Sequence, residues 1–130
     1  MIVVDASALV EQLLATPKGL KLHQRCLIAG ESLHAPHLLD LEVVNVLRRY
    51  WQRDILSISR ADQALEDLLV FPLTRYAHEM FLPRIWELRD NMTPYDAAYV
   101  ALAESLKAPL VTCDVRLRNS PGHAAIIEVF

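Results

Sequence analysis

The chain is poor in the features that define several classes of protein. Of its 130 residues only two are cysteine, Cys26 and Cys113, far apart and in no metal-knuckle spacing. Two thiols cannot staple a domain of this size, which points to a reducing, cytoplasmic setting. No uncharged apolar run approaches the roughly 20 residues a membrane span needs, so no membrane association is expected. Met1 to Ala15 has no basic leader, and Asp5 interrupts its apolar run, which argues against a signal peptide. Positive charge is also lacking, since 13 Lys and Arg stand against 16 Asp and Glu for a formal charge of -3. That balance excludes a protein that grips nucleic acid by a broad basic surface, and any such contact must be local. Lysine is the scarcer cation: ten of the thirteen basic residues are arginine, whose planar fork suits phosphate or carboxylate. Repeats, low-complexity tracts and linkers are absent.

What is present is a large apolar fraction, 53%, enough to bury a substantial core in one compact domain over residues 1-130. Ile2 to Val4 reads as a short strand and Ser7 to Ala15 as a helix, closed by a Thr16-Pro17-Lys18-Gly19 turn. Leu20 to Ile28 is expected as a second helix, and Leu33 to Ala35 as a strand stopped by Pro36. From Leu38 to about Arg53 the periodicity is helical. Leu39, Val43, Val46, Leu47 and Tyr50 fall on one face, with Glu42, Asn45 and Arg49 in a polar ridge beside it. Ser59 is expected to cap a helix to about Leu69, Phe71-Pro72-Leu73 to form a short strand, and His78 to Arg89 a helix kinked at Pro83. Thr93-Pro94-Tyr95-Asp96 has the order of a helix start, with the helix running to Lys107. Leu110 to Cys113 and Ala125 to Val129 are expected as the last strands. Short apolar strands separated by helices imply an α/β fold, a mainly parallel sheet covered on both faces.

Two acids share one setting: Asp5 follows Ile2-Val3-Val4, and Asp114 follows Leu110-Val111-Thr112-Cys113. Ligand sites of open parallel sheets lie beyond the carboxyl ends of the strands, so these side chains converge if their strands are neighbours. Asp96 in a first helical turn and Glu42 beside an apolar helix face can approach the same rim. Four carboxylates so gathered repel one another unless a divalent cation neutralises them. All-oxygen ligation selects a hard ion, Mg²⁺ or Mn²⁺, and the lack of a His or Cys grouping argues against zinc. Each acid also has an ordinary explanation taken alone. Asp5 and Asp114 suit turns or caps, Asp96 completes a capping box with Thr93, and Glu42 suits a solvated helix pair; Ser7, Asn45 and Thr112 suit caps or packing edges.

Four segments together, IVVDASALV, PHLLDLEVVNVLRR, WELRDNMTPYDAAYVALAE and APLVTCDVRL, resemble the PIN domains, specifically the VapC toxins of toxin-antitoxin pairs, in order and spacing. The resemblance implies a PIN-like three-layer α/β/α sandwich and a Mg²⁺- or Mn²⁺-dependent endoribonuclease. It makes Asp5, Glu42, Asp96 and Asp114 the catalytic acids, with Ser7, Asn45 and Thr112 in supporting positions. Asp5, Asp96 and Asp114 would hold the ion, and Glu42 would bind a second ion or orient the attacking water. Some relatives carry a further acid after Asp114, where this chain reads Val115-Arg116-Leu117-Arg118-Asn119, so one ion or two is left open. The resemblance further implies an RNA substrate, a homodimer and a small antitoxin partner that covers the site. Arg49, Arg84 and Arg89 are candidate phosphate contacts, or solvated helix-face arginines.

Two other classes remain in view. A catalytically silent module acting only through antitoxin or RNA binding would bind no Mg²⁺. A phosphoacceptor domain using Asp5 usually has a second acid two residues on, where Ser7 stands, or a lysine near the last strands, and none follows Lys107.

Overall fold

The computed structural model describes residues 1-27 and 30-130, with the side chain of Leu27 also outside the description. Its elements are β1 (Ile2–Val4), α1 (Ala6–Leu13), α2 (Pro17–Leu27), β2 (Leu33–Pro36), α3 (Leu38–Gln52), α4 (Ile58–Val70) and β3 (Leu73–Tyr76). A 3₁₀ turn (Glu79–Phe81) leads into α5 (Leu82–Glu87), and α6 (Pro94–Leu106), β4 (Leu110–Thr112), α7 (Val115–Asn119) and β5 (Ile127–Val129) complete the chain. The expected end of the second helix at Ile28 lies outside the described residues.

The strands form one sheet in the order β3-β2-β1-β4-β5, with every pair parallel. Helices α1 to α4 pack together and α5 packs on α6, and the right-handed rule for parallel crossovers assigns the two groups to opposite faces of the sheet, the expected α/β/α sandwich. Helix α1 packs on α2, α3 and α4, while α6 packs on α5 and crosses β1, β2 and β4. The sheet is built outward in one direction from β1 to β3, and then restarts on the other side of β1 with β4. Strand order therefore reverses between β1 and β4, where the two crossover layers diverge and open a crevice at the strand ends. Val3 pairs with Leu110 and Val4 with Val111, so the residues leaving these strands, Asp5 and Cys113-Asp114, emerge side by side.

Burial explains the strands. Ile2, Val3, Val4, Leu110 and Val111 are wholly buried, as strands covered on both faces must be. Helix α6 is buried from Ala97 through Ala103, and its small residues allow a helix apolar all round to lie directly on the sheet.

Several local expectations need correction. Thr16 to Gly19 is not a turn but the start of α2: the Thr16 hydroxyl accepts the Gly19 amide at 3.0 Å and Pro17 takes the first helical position. Helix α4 is capped by Ser57, whose hydroxyl accepts the Arg60 amide at 3.2 Å, and Ser59 lies inside the helix. Strand β3 lies further along, at Leu73–Tyr76, because Pro72 has no amide to pair. Pro83 does not kink a helix; it opens α5. Helix α7 falls in a segment for which no helix was expected.

Gly19 sets the approach of α1 and α2. A Cβ there would come within 1.9 Å of the Glu11 carbonyl oxygen, a backbone atom that moves only if the helices part. Gly19→Ala is therefore expected to destabilise the protein by about 1–3 kcal/mol, as overpacking does, measured by urea unfolding. A gain in stability, as for an ordinary exposed helix glycine, would refute the close-approach account.

Candidate active site

Asp5 is both the last residue before α1 and its cap. One carboxylate oxygen, Oδ1, accepts the Ala8 amide at 2.9 Å and the Ser7 hydroxyl at 2.7 Å. The other, Oδ2, accepts a short hydrogen bond from Thr112, at the end of β4. Thr112 is completely buried and accepts the Asp114 amide at 2.9 Å, while Ser7 accepts the Cys113 amide at 2.9 Å. Each hydroxyl thus accepts a hydrogen bond from an amide at the exit of β4 and donates one to the carboxylate at the exit of β1.

The remaining acids come from elements that meet the same crevice. Glu42 lies on α3, one turn before Asn45, with Arg49 a turn further on. Asp96 is in the first turn of α6, below the Thr93 cap, whose hydroxyl accepts the Asp96 amide at 3.2 Å. Asp114 caps the short α7 through the Arg116 amide at 2.9 Å. Asp5, Ser7, Glu42, Asn45, Arg49, Asp96, Tyr99 and Asp114 all line one open cleft of about 240 Å³. All four expected acids are there, drawn from four parts of the sequence, with Ser7 and Asn45 beside them and Thr112 immediately beneath.

Electrostatics distinguish the acids. Burial pushes Asp5 above the ordinary carboxylate range, against the pull of Thr112, Ser7 and the Ala8 amide, and the charge of Asp114 adds to the rise. Glu42 is raised first by burial, with Tyr99 pulling it down and the charges of Asp5 and Asp96 pushing it up. Asp96 is likewise raised by burial and, in smaller part, by Asp114, while Thr93 opposes. Only Asp114 is lowered, because the exposed Arg116 guanidinium clasps it, with Nη2 at 2.7 Å from Oδ2.

Three half-buried or buried carboxyls that resist ionisation beside one another form a donor set that a hard divalent cation suits, since it relieves both desolvation and repulsion. Every donor lining the cleft near them is an oxygen or the Asn45 amide, with no histidine or cysteine. Among the described residues no three His, Cys, Asp or Glu side chains converge tightly enough to enclose an ion by themselves. The acids line walls rather than a point, and Asp114 is turned toward Arg116.

Of the arginines, Arg49 lines the cleft and Arg84 does not. Arg84 makes a bidentate pair with Glu104, at 2.8 and 3.0 Å, and also binds Glu87 and the Gly122 carbonyl, so it ties α5 to α6. Arg89 lies over the Trp86 ring at 4.9 Å. Sequence reasoning gave no role to Tyr99 or to the Arg116 clasp. The spacing Asp96-x-x-Tyr99 was the available signal for the first, because it puts both on one helix face.

Comparison with known proteins agrees with this architecture. The PIN domain family matches residues 2–122, and the chain belongs to that family. Ribonuclease VapC12 of Mycobacterium tuberculosis is 43% identical over 129 residues, covering 99% of this chain and 98% of its own. At that level the chain belongs with the VapC ribonucleases. A solved structure from Pyrobaculum aerophilum superposes with a TM-score of 0.67 at 29% identity, over 97% of this chain and 82% of its own. VapBC2 of Rickettsia felis, solved with a DNA fragment from its promoter, gives 0.66 at 14% identity over 99% and 98%, which shows the shared fold.

A carboxyl raised on folding favours the native state fully below its unfolded value, and that contribution is lost as pH rises through the folded value. The metal-free protein is therefore expected to be strained at neutral pH by Asp5. Asp5→Asn should raise the thermal midpoint in EDTA at pH 7 relative to wild type, and the advantage should shrink toward pH 4. A variant less stable than wild type at both pH values would contradict this account.

Proposed function

We propose that this protein is a divalent-metal-dependent endoribonuclease, the toxin of a toxin-antitoxin pair, acting in the cytoplasm. The observation that carries the reading is the cleft at the β1/β4 switch point, which Asp5, Glu42, Asp96 and Asp114 line together with Arg49. Asp5, Asp96 and Asp114 would hold Mg²⁺, or Mn²⁺, and Glu42 would hold a second ion or orient the attacking water. The ion, when bound, lowers the pKa of water and neutralises charge on a scissile phosphate. The relatedness to VapC12, a ribonuclease by name, makes RNA the expected polymer.

The chain's own groups have separable tasks. Asp5 is fixed by three donors before any ion arrives, so little reorganisation is needed at the floor of the cleft. Ser7 and Thr112 are not free nucleophiles, since each hydroxyl donates to Asp5 and accepts a backbone amide. No covalent protein nucleophile is required, and attack by water would leave, by family resemblance, a 5′-phosphate and a 3′-hydroxyl. Arg49, which lines the cleft, would contact an RNA phosphate. A net charge of -3 makes such local contacts necessary for a polyanionic substrate.

The family reading also brings a homodimer and an antitoxin that would cover the cleft. Among the described residues no helix is long and apolar enough to cross a membrane.

Purified protein is expected to cleave structured RNA in Mg²⁺ and to lose cleavage in EDTA. Asp5→Asn and Asp96→Asn are each expected to lower the rate at least 100-fold, about 2.7 kcal/mol of transition-state stabilisation, with circular dichroism unchanged. Full activity of both variants in Mg²⁺ would sink the assignment. Absence of both Mg²⁺ binding and cleavage in the wild type would favour a silent binding module.

A further inference from the structure

Of the polar side chains lining the cleft, Tyr99 is the most enclosed and has no role in the scheme above. It lies on α6 one turn beyond Asp96, is 3% exposed, and its hydroxyl donates to Glu42 Oε2 at 2.5 Å. This is the only hydrogen bond to the Glu42 side chain among the described residues, and Oε1 is left without a protein partner. A buried phenol needs an acceptor, and a half-buried carboxylate on a long flexible side chain needs something to hold it. The one contact meets both needs. It also joins α3 to α6, which lie in different layers of the sandwich and bring their acids to the cleft independently.

Resting on the nuclease reading, we propose that Tyr99 is a positioning residue: its hydroxyl fixes the Glu42 carboxylate at the cleft rim, with Oε1 directed to the ion or the water that Glu42 serves. Without it, Glu42 has three rotatable bonds and the charges of Asp5 and Asp96 to repel it, so the side chain would leave the cleft. The burial and surrounding negative charge that hold the phenol protonated keep it a permanent donor. Outer contacts of this kind orient groups that ligate metals, and their removal commonly weakens metal affinity by about 10–100-fold.

The test is a double-mutant cycle of Tyr99→Phe and Glu42→Gln, read by Mn²⁺ binding calorimetry and by RNA cleavage. Tyr99→Phe is expected to weaken Mn²⁺ binding by about 10–100-fold, or to lower kcat by a similar factor with KM unchanged. In the Glu42→Gln background the same substitution should add nothing, which a merely structural role of Tyr99 would not produce. Wild-type affinity and kcat in Tyr99→Phe, or losses that add in full to those of Glu42→Gln, overturn the proposal while leaving the nuclease reading intact. A wild type that neither binds Mn²⁺ nor cleaves RNA overturns both. If Tyr99→Phe does not fold, ¹³C-labelled tyrosine in the otherwise native chain replaces it. The Tyr99 resonance should then shift with the midpoint of Mg²⁺ binding, a diamagnetic ion, in wild type and stay fixed in Glu42→Gln; a shift in neither protein, or an equal shift in both, would overturn the proposal.

Discussion

A carboxylate taken out of water needs replacement partners, and at Asp5 they come from both ends of the chain. The Ser7 hydroxyl and Ala8 amide follow it in sequence, whereas Thr112 arrives from more than a hundred residues away. This small network ties the exit of β1 to the exit of β4, and so fixes the geometry of the switch point at which the other acids assemble. If Thr112 lost its hydroxyl, Asp5 would remain buried with one fewer donor, and the Asp114 amide would lose its acceptor as well. Few contacts in the molecule serve both the fold and the site to this degree.

Around that network the protein keeps a cluster of negative charge that its own folding disfavours. Burial raises Asp5, Glu42 and Asp96, and their mutual proximity adds to the effect. The rest of the chain makes the arrangement tolerable. Central strands that are wholly buried and a helix of small residues lying on them give a rigid base, while Tyr99 and Arg116 hold two of the acids by direct contact. The clasp by Arg116 is exposed and therefore weak, so it does little to fix Asp114.

An ordinary structural role does not keep these acids out of the cleft. Asp5 caps α1, Asp114 caps α7, and Asp96 completes the first turn beneath Thr93, yet all three also face the cleft. A strand that ends in a helix cap must present that residue at the carboxyl edge of the sheet, which is where ligands gather in such folds. The same local rule that made each acid look structural in isolation is what delivers it to the site. Arg84 shows the opposite outcome, because a candidate for phosphate contact is consumed by Glu104, Glu87 and a backbone carbonyl.

The sequence by itself determined the class of fold and singled out the four acids that line one cleft, because short apolar runs, helical periodicity, helix caps and ordered family segments can be read along the chain. Its errors were local too: the α2 start hidden in Thr16-Pro17, the cap at Ser57 rather than Ser59, the displaced β3 and the unexpected α7. Only the tertiary structure decided that β4 lies beside β1, that Thr112 and Ser7 close around one carboxylate, that Tyr99 reaches Glu42, and that Arg49 rather than Arg84 faces the cleft. Those facts depend on strand order and on the crossing of helices from different layers. Such contacts join residues far apart in the chain, and no periodicity within a single segment records which distant partner will satisfy a buried polar atom.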